Sequence, residues 1–249
     1  MKQITAKIKP ASGFSHILHI ALVSLLPALL FVLVRLEFFQ LAGALILLSK
    51  WRMFAVKPRH WPAILRVNSI DIIVGLAVLV FMIHSGTQLL QLLWAFAYGL
   101  WLLWLKPQST VFGVSSQALV GQTVGIVALF LQWGDKSSWV LVIATWLICY
   151  AGARHFFANF EEPLTRFLSY VWAYFSAALV WVLSHWLLFY GPIAQPGLLI
   201  TVMGFGLAGI YYLEKTDRGS LALRRQLIFV MMAVILIVVI FSDWGDKTI

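Results

Sequence analysis

From Val111 to Trp133 the chain runs 23 residues without one charged side chain, and eight further apolar runs are built in the same way. A bilayer core about 30 Å thick takes about 20 mostly apolar residues per helix, at a rise of about 1.5 Å each. Lipid offers no partner to backbone N–H and C=O groups, so each run must close its hydrogen bonds within itself, as a helix does. Hydrophobic residues make up 62% of the chain and charged ones 11%, with a mean hydropathy of +0.93. A soluble domain carries about 45–50% and about 25% respectively, so this chain has too little charge to clothe a water-facing surface. These features predict an all-α integral membrane protein, one polytopic domain over 1–249. Nine transmembrane helices are expected near 14–34, 37–54, 69–84, 87–105, 111–133, 138–153, 167–189, 194–213 and 224–242.

Two runs need comment. The opening MKQITAKIKP and the apolar stretch after it resemble a signal peptide, but 21 apolar residues exceed the usual ~7–15. We read a retained first span, kinked at Pro27. The second run is short: Phe38 to Ser49 is 12 uncharged residues, about 18 Å of helix. It spans if Lys50 and Arg52 snorkel to the interface. The single cysteine, Cys149, excludes an internal disulfide.

Charge tests the span count. With the N-terminus in the cytoplasm, 15 of the 18 lysines and arginines, from Lys2 to Arg225, fall on the cytoplasmic side. Only Arg35, Lys136 and Lys247 fall outside, as basic residues kept on one side require. The expected location is a cell inner membrane, with the C-terminus extracytoplasmic. The net charge of +9 suits anionic lipid headgroups at the cytoplasmic face rather than nucleic acid. The stretch WRMFAVKPRHWPAILR (51–66) is expected to lie on that surface.

WGDK occurs at 133–136 and again at 244–247. Walking back from the two copies gives further echoes: Lys106 and Lys215, Ala95/Gly99 and Gly204/Ala208, His84 and His185, Arg66 and Arg166, Pro62 and Pro163, and RMFA beside RHFFA. We read an N-terminal helix (1–36) followed by two tandem four-helix repeats in parallel orientation, 37–136 and 138–247. Locally, WGDK is a stop signal: Trp anchors at the headgroups, Gly supplies a left-handed residue, and Asp suits a turn.

The fifth span is the most polar. Ser116, Gln117, Gln122 and Thr123 are candidates for lining a substrate path, beside the GxxxG pair Gly121 and Gly125. Gln117 and Gln122 are five residues apart, so they point in directions about 140° apart; one should enter a helix contact and the other the interior. No span carries a charge at its centre, since Asp71 is read only one turn into the third helix, near Arg66. A relay of buried carboxylates is not expected. No HExxH, GxSxG, Walker loop or GxGxxG is present, and no histidine lies mid-helix as a haem ligand would.

FEEPLTR (160–166) resembles the first motif of the membrane-embedded CAAX-type proteases. There, paired glutamates and a downstream histidine serve a metal-dependent peptidase. Glu161, Glu162 and Arg166 match that motif, and Trp181 to His185 loosely echoes its aromatic-xxx-His element. No H-x-x-x-N follows, and Arg166 and His185 bracket one helix about 28 Å long. The segment is therefore read as a turn with acids at a helix start.

The functional expectation is a small transporter or permease for a small uncharged solute. The alternatives are a non-catalytic assembly or scaffold subunit, with a membrane partner or a second copy, and an enzyme acting on lipid or at the outer face. Catalysis is the less expected of these, and no cofactor is readable. If the repeats bring equivalent ends together, His84, Asp135, His185 and Asp246 form an outer-face set of the type that holds a divalent transition metal.

Overall fold

A computed structural model of the chain describes residues 14–50, 58–184, 189–190 and 193–242, with the side chains of all of these except 14–23, 58, 189 and 190. Among them stand nine α-helices: α1 (Phe14–Arg35), α2 (Phe39–Leu48), α3 (Trp61–Ile83), α4 (Gln88–Leu100), α5 (Val111–Trp133), α6 (Ser138–Ala158), α7 (Thr165–Leu183), α8 (Gln195–Lys215) and α9 (Leu221–Phe241). A π turn over Trp101–Leu105 continues α4. A two-residue antiparallel pairing, Phe189–Tyr190 with Ile193–Ala194, leads into α8. Seven of the helices, α3 to α9, are long and apolar enough to cross a membrane, and shorter apolar helices precede them. The chain is an all-α membrane protein.

Helix ends follow local chemistry. The hydroxyls of Thr87, Thr110 and Ser220 accept hydrogen bonds from the N–H groups of Leu90, Gly113 and Leu223, capping α4, α5 and α9. Acidic residues at left-handed φ turn the chain after α1, α6 and α8: Glu37 at 60°, Glu161 at 51° and Asp217 at 54°. Gly134 does not act in this way. It has φ −59° and simply continues α5, so the WGDK glycine is not a left-handed stop. The second WGDK copy lies outside the described residues.

Other boundaries also differ from expectation. Helix α3 begins at Trp61 rather than 69, because Pro62 in its first turn is preset for a helix and costs no hydrogen bond there. The amphipathic stretch is thus partly the exposed start of a helix, while 51–57 lies outside the described residues. Helix α1 runs unbroken through Pro27. The second span, expected over 37–54, is represented among the described residues by the 10-residue α2.

Packing follows small residues, since in lipid apolar helices gain little from mere contact. A Cβ on Gly121 would lie 2.6 Å from a methyl of Ile70, and one on Gly125 would lie 2.5 Å from a methyl of Ile73. The GxxxG pair of α5 therefore seats α3. Helices α6 and α7 lie along one another and bury small residues, Thr145 and Cys149 on α6 and Ser169, Ala173, Ser176 and Ala177 on α7, while Gly152 of α6 faces Gln122 of α5. Helix α9 leans on α8 and buries only Val238. The halves do not pair their helices alike: α3 lies along α5, while α7 lies along α6 and shares no comparable face with α9.

Candidate functional site

The bundle has a basic end, where α2, α4, α6 and α8 finish, and a far end. At the basic end Asp71 is buried, with its side chain 7% exposed. Lys50 pairs with its Oδ2, as does Lys106 at 2.6 Å. The Trp101 indole N–H donates to Oδ1 at 3.1 Å. The π turn explains the last two contacts. Lys106 N–H donates to Trp101 C=O at 2.8 Å, five residues back, so one extra residue in the turn brings both side chains to the same face. This corrects the reading of Asp71 as a residue one turn inside its helix near Arg66. With α3 starting at Trp61, Asp71 is its eleventh residue, level with the ends of α2 and α4, and the first turns of α3 project beyond them.

Gln117 belongs to the same end. Its Nε2 donates to the carbonyls of Leu105 at 2.7 Å and Gln108 at 3.1 Å. These acceptors lie at the end of α4 and in the turn after it, where Leu105 C=O also accepts from Gln108 N–H at 3.2 Å. Its Oε1 meets His155 Nε2 at 3.3 Å, so that nitrogen carries the proton. Gln117 is a staple between α4, α5 and α6.

Gln122 points elsewhere. It is 5% exposed, lies near the middle of α5, and accepts a hydrogen bond from Trp172 Nε1 at 2.8 Å. It forms part of the wall of a cavity of about 530 Å³ between α5, α6, α7 and α8. The cavity runs from Gln122, Trp172 and Gly204 to Tyr211 and Glu214 at the basic end. Phe156 and Met203 line it, and Val171, Phe175 and Leu207, which are exposed, form the lips of a side opening between α7 and α8. Toward the far end a buried apolar cluster of Ile126, Phe130, Val180, Ala194 and Ile200 fills the space between the same helices. Ser116 and Thr123 are half-buried and are not among the cavity-lining residues.

The cavity's rim carries a second ion pair. Glu162 accepts from the Tyr211 hydroxyl and from Lys215 Nζ at 2.9 Å. Those two groups, the hydroxyl first, hold its carboxyl below the usual range. Glu162 of the FEEPLTR motif thus fastens the turn preceding α7 to α8, while Glu161 and Arg166 are exposed.

At the far end, His84 Nδ1 sits 3.0 Å from Val80 C=O. Asp135 is 72% exposed and pairs with its neighbour Lys136 at 3.2 Å. His185 and Asp246 lie outside the described residues. Among the described residues no three His, Cys, Asp or Glu side chains come together as a metal site. Compared with protein-family models, curated proteins and solved structures, the chain matches none.

Proposed function

We propose that this protein is a membrane carrier for a small uncharged solute, with the α5–α8 cavity as its binding site. The observation that carries the reading is the cavity itself. Ligand sites are typically clefts of about 300–1,000 Å³ with mainly apolar walls and a few placed polar groups. Here the space reaches the basic face and opens sideways between the exposed Val171, Phe175 and Leu207, while packed side chains close it toward the far face. That is the form of a site reached from one side at a time, and moving α8 against α5 would exchange the sides. Uncharged walls near mid-helix suit a neutral solute, since a charge brought there unpaired is costly.

In this reading the basic face is cytoplasmic, with the N-terminus inside and the C-terminus outside. Arg59, Arg66, Arg154 and Arg166 there meet anionic headgroups. The exposed apolar face of α9 is what lipid covers, so it calls for no scaffold partner.

Purified protein in liposomes tests the reading against a panel of neutral solutes of graded polarity. The wild type should speed the flux of at least one apolar member, and Gly204→Leu, which fills the cavity, should abolish that gain. Equal fluxes with and without protein, or a gain unmoved by Gly204→Leu, would overturn it.

A further inference from the structure

Resting on that reading, we infer that the cavity takes a neutral, chain-like amphiphile that presents a carbonyl oxygen to the Gln122 amide. The amide's orientation is set. Trp172 Nε1–H can only donate, so the oxygen of Gln122 faces Trp172 and its NH₂ group faces the other way. That group donates to no acceptor among the described residues. It lies 2.9 Å from where a Cβ on Gly204 would stand, on the wall of α8 that lines the cavity. On the opposite side, a Cβ on Gly152 would lie 3.2 Å from Gln122 Oε1. Two glycines thus let α6 and α8 close onto the amide, which fills the space a side chain at either position would take.

The donor is open to the cavity, where apolar walls offer it no acceptor, and a ligand oxygen would supply one. The donor also defines what cannot bind. A cation would meet N–H groups and no carboxylate at the deep end. An anion would lose its hydration to a cavity with no cation there. A pure hydrocarbon would leave the amide unpaired. From Met203 to Glu214 the wall covers eleven residue steps, about 16 Å at helical rise. This length suits an extended chain better than a compact solute, with the carbonyl deep and the chain running toward the basic end.

The test uses the full-length protein in nanodiscs and a matched series of one chain length: a methyl ketone, an n-alkane, an alkylammonium and a fatty carboxylate. Each competes with a naphthyl-ketone dye whose emission shifts red when its carbonyl accepts a hydrogen bond. In the wild type the methyl ketone should displace the dye about tenfold better than the alkane, the size of one good hydrogen bond. Both charged members should be weakest. In Gln122→Leu the preference for the ketone should vanish, the dye emission should move to the blue, and alkane binding should persist. Equal binding of ketone and alkane, or a preference for either charged member, overturns this inference while leaving the carrier reading intact. Dye binding that Gly204→Leu leaves unchanged overturns the carrier reading as well. The wild-type series decides the matter even if Gln122→Leu fails to fold.

Discussion

Lys106 and Lys215 close α4 and α8, 109 residues apart, and each binds a carboxylate, one within the preceding helix and one in the turn before it. The outcomes differ. Lys106 reaches Asp71, which has sunk between helices, shares it with Lys50, and leaves a closed wedge of α2, α3 and α4. Lys215 reaches Glu162 in a turn at the rim, and behind that rim α7 and α8 stand apart around a cavity. The small pairs at the same spacing repeat the contrast. Ala95 is buried and Gly99 approaches Pro27 of α1, whereas Gly204 and Ala208 face the cavity. Similar letters have thus served packing in one half and vacancy in the other. What separates them is the depth of the acid: a buried carboxylate draws its helices together to satisfy it, and a rim carboxylate does not.

The sharpest break of this comparison is Asp71→Ala. Lys50, only 10% exposed, would lose its counter-charge, and stranding a buried charge costs about 3–5 kcal/mol. The thermal midpoint in detergent should fall steeply, and adding Lys50→Met should restore part of it. A midpoint like the wild type would show that the wedge does not rest on this cluster.

Next in size is a contrast between glycines. Gly125→Leu has no room against Ile73 and Ile148 and should lose about 1–3 kcal/mol or more by overpacking. Gly204→Leu projects into the cavity and should lose less than half as much, because the side-chain amide of Gln122 can move aside. Equal losses in the two melting curves would mean that α7 and α8 are packed as tightly as α3 and α5.

The smallest effect is that of the rim. With its carboxyl held below its ordinary value of 4.5, Glu162 favours the folded state wherever it is ionised there. Its contribution is complete above 4.5 and fades as pH falls through that value toward the depressed one. The midpoint of Glu162→Gln should therefore lie below the wild type at neutral pH, and the two curves should converge in acid. Parallel curves across the range would contradict the bond to Tyr211 and Lys215.

Much of this architecture was legible in the chain. Run length and charge sidedness depend on local composition, and the helices from α3 to α9 appear where the runs lie. Helical geometry alone separated Gln117 from Gln122, and they do part, one to the end of α4 and one to the cavity. The burial of Asp71 is not legible in the sequence, because its partners are 21 and 35 residues away and because a π turn aims Lys106. Neither leaves a local pattern, although an acid inside an apolar run with lysines closing both adjacent runs was the signal available. The cavity was illegible for a different reason. It is a space between four helices, and Gly204 and Ala208 read as contact residues until their neighbours are known. Ser116 and Thr123 stand out by polarity, and polarity does not say which face of α5 meets the gap.

The central claim is that the α5–α8 cavity holds a ligand. Photolabelling with a long-chain ketone bearing a diazirine, followed by peptide mapping, tests it most directly. The account predicts labels concentrated on the inner lining residues Ala118, Phe156, Trp172 and Met203, competed away by unlabelled ketone and absent in Gly204→Leu. Labels spread evenly over lipid-facing residues such as Phe96, Trp104 and Phe229, with no competition, would contradict it.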